Sequence, residues 1–183
     1  FGFMAPEQMV AARQAGPPAD LFSCGATLYF MVTGQPPVNI ALVIDRSGSM
    51  SGEKIQQARR AAELAVGKMD PNDIVSVIAY DSTVEVLVPA TKVGDGRAVI
   101  QRIRQIRTAG STALFAGVSK GAGEVRKFLD RKRVNRIILL SDGLANVGPS
   151  SPGELERLGQ SVAKEGISVT TLGLGLQYNE DLM

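Results

Sequence analysis

The chain has no histidine in 183 residues. That absence removes the usual general base, the Ser-His-Asp triad and most zinc sites together, so any metal must be held by oxygen. Its single cysteine, Cys24, excludes an internal disulfide and fits a reducing compartment, which makes a cytoplasmic location the expectation. The ordinary role of such a residue is a small buried apolar one. Long apolar runs are also missing. Leu21 to Val32 is interrupted by Ser23, Gly25 and Thr27 and reaches about half the length of a membrane span, and no basic-then-apolar leader is visible, so no span is expected. Charge of one sign is not in excess either: 20 Lys and Arg against 18 Asp and Glu give +2, which neither demands nor excludes a polyanionic partner. The size and composition suit one ordinary globular core with an appendage.

What is present is organised around Val38 to Met50, Val-Asn-Ile-Ala-Leu-Val-Ile-Asp-Arg-Ser-Gly-Ser-Met. Six apolar residues in eight, several β-branched, predict a buried strand that runs straight into Asp45, Ser47 and Ser49. One carboxylate and two hydroxyls are hard oxygen ligands, and Gly48 lets the backbone bend enough to turn both hydroxyls toward one point. A divalent cation site is the reading these residues give by themselves.

Beyond this strand the pattern alternates. Ile55, Ala58, Ala62, Ala65 and Met69 predict an amphipathic helix that closes before Asp70-Pro71. Asp73 to Tyr80 and Thr83 to Val88 read as two strands joined so tightly that they must form an antiparallel hairpin. Val99 or Ile100, Ile103 and Ile106 line a short helix, and Thr108 to Thr112 breaks it. Leu114, Val118, Gly121, Val125 and Phe128 carry the next helix, with Arg131-Lys132-Arg133 at its negative end. These bases, with Arg126, Lys127 and Arg136, lack interleaved aromatics, so a solvated helix end is expected and a nucleic-acid patch is not. Val134 to Leu140 is another apolar strand, ending in Ser141-Asp142-Gly143. Ser151-Pro152-Gly153-Glu154 starts a helix with inner residues Leu155, Leu158 and Val162, and Ile167 to Leu174 is the last strand.

Apolar strands joined by helices predict an α/β fold with a doubly wound, mainly parallel sheet covered on both faces. Ligands of such sheets sit beyond the carboxyl ends of the strands, where the winding direction reverses. Asp45 and Asp142 are therefore the expected rim of one crevice, and the Gly110-Ser111-Thr112 loop its third wall.

Asp45-Arg46-Ser47-Gly48-Ser49, Thr112 within Gly-Ser-Thr, and Ser141-Asp142-Gly143, in this order and spacing, resemble a von Willebrand factor A domain with its metal-ion-dependent adhesion site. The resemblance covers residues 38–183. It implies a Rossmann-like sheet with one antiparallel edge strand. In it Ser47 and Ser49 bind Mg²⁺ or Mn²⁺ directly, more readily than Ca²⁺. Thr112 binds directly or through water, Asp45 and Asp142 hold the coordinating waters, and a partner protein's Asp or Glu completes the shell. The family adds one more strand and its final helices after the last strand seen here, which leaves that strand an expected edge.

Residues 1–37 differ from the rest, with net charge −1 and five of the nine prolines. Phe-Met-Ala-Pro-Glu-Gln (Phe3 to Gln8) and the stretch from Ala19 to Pro37 resemble the end of the activation segment and the following helix of a bacterial Ser/Thr protein kinase. The resemblance implies one helix over about Asp20 to Val32. Glu7 and Asp20 would brace parts of a kinase that the chain lacks, as it lacks the glycine-rich loop, the ATP-pairing lysine and the catalytic aspartates, so no phosphotransfer is expected. Two other readings of the larger part stay open. One is a metal-dependent phosphoryl-transfer or hydrolytic enzyme, which usually needs a second carboxylate where Ser47 stands. The other is a fusion fragment with a dead site. A Rossmann nucleotide binder would need Gly-x-Gly-x-x-Gly after the first strand, which is absent.

Overall fold

The computed structural model describes residues 37–142 and 152–174. Residues 1–36 of the kinase-like segment, with its expected helix over Asp20 to Val32, and the capping Ser151 lie outside the described residues. In chain order the elements are β1 (Val38–Asp45), a 3₁₀ turn (Gly48–Met50), α1 (Glu53–Val66), β2 (Ile74–Tyr80), β3 (Val84–Lys92), α2 (Arg97–Arg104), α3 (Leu114–Arg126), β4 (Val134–Ser141), α4 (Pro152–Lys164) and β5 (Ser168–Gly173). The sheet runs β3-β2-β1-β4-β5. All neighbours are parallel except β2 and β3. The fold is the expected α/β sheet with helices on both faces.

All eight residues of β1 are buried, because alternate side chains enter two separate cores. Ile40, Leu42 and Ile44 pack with Ile55, Ala58 and Ala62 of α1 and with Val99 and Ile103 of α2. Ala41 and Val43 face the other way, into a cluster with Leu114, Val118 and Ala122 of α3 and Val162 of α4. At about 1.5–3 kcal/mol for each large apolar side chain removed from water, this two-sided burial outweighs any local preference of the strand. The small residues of α3 decide how closely it lies on the sheet. A methyl group added at Gly117 would stand 2.7 Å from the Tyr80 ring, and one at Gly121 would stand 2.7 Å from Val43 Cγ2.

Several boundaries differ from the sequence-based expectation. β3 continues past Pro89 to Lys92, which an outer strand permits because its free edge needs no N–H donor there. The next amide, Ala90 N, donates to Glu124 Oε2 at 2.9 Å. Met69 and Ile106 lie beyond the ends of α1 and α2, yet both are buried. Phe128 leaves the expected stripe. The chain after α3 tightens through Lys127 N to Glu124 O and Phe128 N to Val125 O bonds, and Phe128 turns outward to 43% exposure. Arg131-Lys132-Arg133 consequently belongs to the turn that leads into β4, while Arg126 is the base of the last helical turn. Arg126 pairs with Glu165, Lys127 with Glu124, and Arg136 Nη1 donates to Thr170 Oγ1. Among the described residues no helix is long and apolar enough to cross a membrane.

The strand order places the winding reversal between β1 and β4. From β1 the chain moves outward through β2 to β3, then returns across the sheet to β4 and β5 on the other side. The carboxyl ends of β1 and β4 thus flank one crevice, and their last residues are Asp45 and Ser141.

Candidate functional site

Asp45 closes β1 and is fully buried. Its Oδ1 accepts the Ser47 N–H at 2.9 Å, a short-range turn that bends the chain out of the strand. Its Oδ2 accepts the Ser141 hydroxyl at 2.7 Å and the Tyr80 hydroxyl at 3.3 Å. Burial pushes the Asp45 carboxyl above its ordinary range, and the hydrogen bonds from Ser141 and Ser47 pull part of that back. Burial first, and then the neighbouring Asp45 charge, hold the Tyr80 phenol well above its usual value.

The turn after Asp45 brings the two serine hydroxyls together, with Ser47 Oγ and Ser49 Oγ 3.0 Å apart. Ser47 is buried and Ser49 exposed, so the pair runs from the interior to the surface. The loop before α3 is stitched to this turn by backbone bonds from Gly48 N to Gly110 O at 3.0 Å and from Ala109 N to Arg46 O at 2.8 Å. Gly110 has φ +63° and its Cα faces Ser82 and Asp81 so closely that a side chain would stand 2.7 Å from Ser82 Oγ; glycine answers both demands. Ala113 N donates to Asp81 O, which seats Thr112 beneath the loop with no exposure at all. Asp142, also fully buried, follows β4 directly, and its Oδ2 accepts the Lys54 ammonium at 2.8 Å.

Four residues outside the expected set of Asp45, Ser47, Ser49, Thr112 and Asp142 therefore belong to the neighbourhood. Ser141 and Tyr80 hold Asp45, Lys54 holds Asp142, and Arg46 braces the rim by pairing with Asp81 and Glu85, both at 2.8 Å. Ser141 was open to inference from strand register, since Ile44 lies beside Leu140 and the next residues along are Asp45 and Ser141. Arg46 sits between two residues of the candidate site and carries no motif signal. Lys54 lies 88 residues from Asp142, and nothing in a helix-opening lysine announces that contact.

The donor set can be tested for a metal on one feature of the site. Thr112 Oγ1 is buried without a hydrogen-bond partner, a condition that costs about 1–3 kcal/mol unless something else satisfies the hydroxyl. Among the described residues no three acidic or cysteine side chains converge, so a site built on massed carboxylates is not available. The residues that are available are neutral hydroxyls backed by two buried carboxylates, and these fit a hard, oxygen-seeking divalent cation.

Three comparisons bear on this arrangement. Residues 39–183 match the model of the von Willebrand factor type A domain. An uncharacterised protein of Synechocystis, sll0103, is 31% identical over 147 residues, a match covering 80% of this chain and 34% of that one. Among solved structures, a von Willebrand factor type A protein from Catenulispora acidiphila superposes with a TM-score of 0.68 at 18% identity, covering 81% of this chain and 35% of that one. Proximal thread matrix protein 1 of the mussel byssus, solved with a zinc-occupied metal-ion-dependent adhesion motif, gives 0.63 at 17% identity, covering 75% and 38%. At these identities the two structures speak for the fold alone. The chain spans about a third or less of the length of the first curated relatives it matches.

Proposed function

Because the chain belongs to the von Willebrand factor type A domain family, we propose that it is a metal-dependent protein-binding module. Ser47, Ser49 and Thr112 would hold a Mg²⁺ or Mn²⁺ ion, with Asp45 and Asp142 behind them, and an Asp or Glu of a partner protein would complete the site. The observation that carries this reading is the buried Thr112 hydroxyl, which has no partner of its own at the loop stitched to the paired Ser47 and Ser49 hydroxyls. Hydroxyl ligands leave a bound cation incompletely neutralised, so it stays attractive to an outside carboxylate. The zinc-occupied motif of the mussel protein is consistent with a cation in such a site, although it does not select the ion.

The enzymatic alternative has less support. A strand-end aspartate acting as a nucleophile needs a free oxygen, whereas both oxygens of Asp45 accept hydrogen bonds from within the chain. Its surroundings suit a positioning role.

The test is thermal unfolding with and without about 5–10 mM Mg²⁺, a range chosen to exceed a weak Kd. At ten times Kd the wild-type chain gains about 1.4 kcal/mol, or about 3–6 °C in Tm for a protein of this size. The Asp45→Ala, Ser47→Ala double variant should show no such gain. A wild-type chain indifferent to Mg²⁺ and Mn²⁺, or a double variant with the full response, would overturn the proposal.

A further inference from the structure

The two buried carboxylates of the site are neutralised in different ways. Asp45 is surrounded by neutral donors: a backbone N–H, the Ser141 hydroxyl and the Tyr80 hydroxyl. Asp142 meets a full positive charge, the Lys54 ammonium, 2.8 Å from its Oδ2. Lys54 is the second residue of α1, at the end of the helix where the backbone dipole repels cations, and its side chain remains about a third exposed. A lysine in that position could lie in solvent, where its flexible stem keeps its freedom. Its placement on a fully buried carboxylate answers a need of the carboxylate, because an ionised group without a counter-charge is strongly disfavoured inside a protein.

Resting on the metal-binding reading above, we infer that Lys54 is a tethered counter-ion that competes with the divalent cation for Asp142 and sets the affinity of the site. Without a metal, the ammonium keeps Asp142 compensated and the crevice folded. A divalent cation arriving at the hydroxyls meets two carboxylates and one ammonium, a formal charge of −1 instead of −2. Loading must therefore either displace the ammonium from Asp142 or tolerate it close by, and both weaken binding. Because the stem is flexible and partly exposed, displacement needs only side-chain rotation. The same residue then stands at the rim as a free cation. The consequence is a site tuned to weak, exchangeable occupancy in the absence of a partner.

The experiment is calorimetric titration of Mg²⁺ and of Mn²⁺ into the full chain, in the wild type and in Lys54→Met, Lys54→Gln and Lys54→Arg, with Tm recorded for each in EDTA and in saturating metal. Loss of the charge in Lys54→Met and Lys54→Gln should tighten metal binding about tenfold and lower Tm in EDTA more than in metal. Lys54→Gln retains an N–H donor for Asp142, so it serves if Lys54→Met does not fold without metal. Lys54→Arg keeps the charge and should stay within about threefold of the wild type. Equal or weaker affinity in the neutral variants, beside a wild type that binds, overturns the role of Lys54 and leaves the metal site standing. An arginine variant that behaves like the neutral ones overturns it too. Binding by none of the four chains overturns the metal-binding reading itself.

Discussion

At the end of the sheet where β1 and β4 begin, the buried side chains of Asp73, Asn39 and Asn135 are closed into a network; at the end where the strands stop, the buried Thr112 hydroxyl has no hydrogen-bond partner. Asp73 accepts Val38 N on one oxygen at 2.9 Å and Asp70 N on the other at 2.7 Å. Asn39 donates to Val125 O and to Asn135 Oδ1, and Asn135 donates in turn to Asp130 O and Arg133 O. At the opposite end Asp45 is satisfied, but Thr112 Oγ1 has nothing. Both ends bury polar atoms to a similar degree, so burial alone does not mark a functional site. Arg136 of β4, whose Nη1 bonds Thr170 Oγ1, also has a buried Nε without a hydrogen bond, so unfilled bonding capacity marks the crevice only together with the paired Ser47 and Ser49 hydroxyls on the turn stitched to the Thr112 loop.

Three changes would sharpen or break this contrast. The largest effect is expected at the closed end. Asp73→Ala removes the acceptor of two amides and should cost about 2–6 kcal/mol in denaturant unfolding, at about 1–3 for each donor left behind. Its Mg²⁺ response should survive; loss of that response would mean that the two ends are not independent. Thr112→Val comes next. It removes the orphaned hydroxyl at nearly constant shape and should leave metal-free stability unchanged or raise it by up to about 1 kcal/mol, while the Tm gain in Mg²⁺ falls. A clear destabilisation would show that the hydroxyl has a structural partner after all.

The smallest effect is one of pH and concerns Glu124, a buried group far from the crevice that resembles the closed end in having its partners. Burial pushes its carboxyl up, but the Lys127 ammonium and the Ala90 N–H outweigh it, and the net value lies below the ordinary glutamate range. A carboxyl lowered by folding binds fewer protons when folded than when unfolded. Its contribution is therefore complete above the unfolded value of about 4.3 and disappears as pH falls through the folded value. Glu124→Gln should flatten the decline of Tm in that acid window and leave the slope near pH 7 as it was. A parallel decline in both chains would remove Glu124 from the acid response.

Much of this was legible in the chain before its fold was known. The apolar runs that end at Asp45 and Ser141 gave the strands, their crevice and two of its walls, because strands buried on both faces write continuous apolar sequence and end abruptly in polar residues. Thr112 was legible as a candidate wall from the glycine-serine-threonine break before a helical stripe, a pattern that a simple helix cap also writes. What was not legible depends on distance or on chain geometry past an element's end. Lys54 reaches Asp142 only because α1 docks beside β4's exit, and Arg46 finds Asp81 and Glu85 only because the hairpin folds back beside the first turn. Phe128 looked like a core position because the helical period was carried two residues too far.

One small residue gauges the depth of the crevice. Gly117 lies flat against the ring of Tyr80, whose hydroxyl touches Asp45, while the same helix carries Thr112 just ahead of its first turn. Helix and sheet are therefore separated by the thickness of one aromatic ring with no shim between them. A single methyl at position 117 would lift the helix, and with it the threonine wall, away from the aspartate wall. The spacing between two residues of the candidate site is thus set by an atom that the chain leaves out, seventy-two positions along from the first of them.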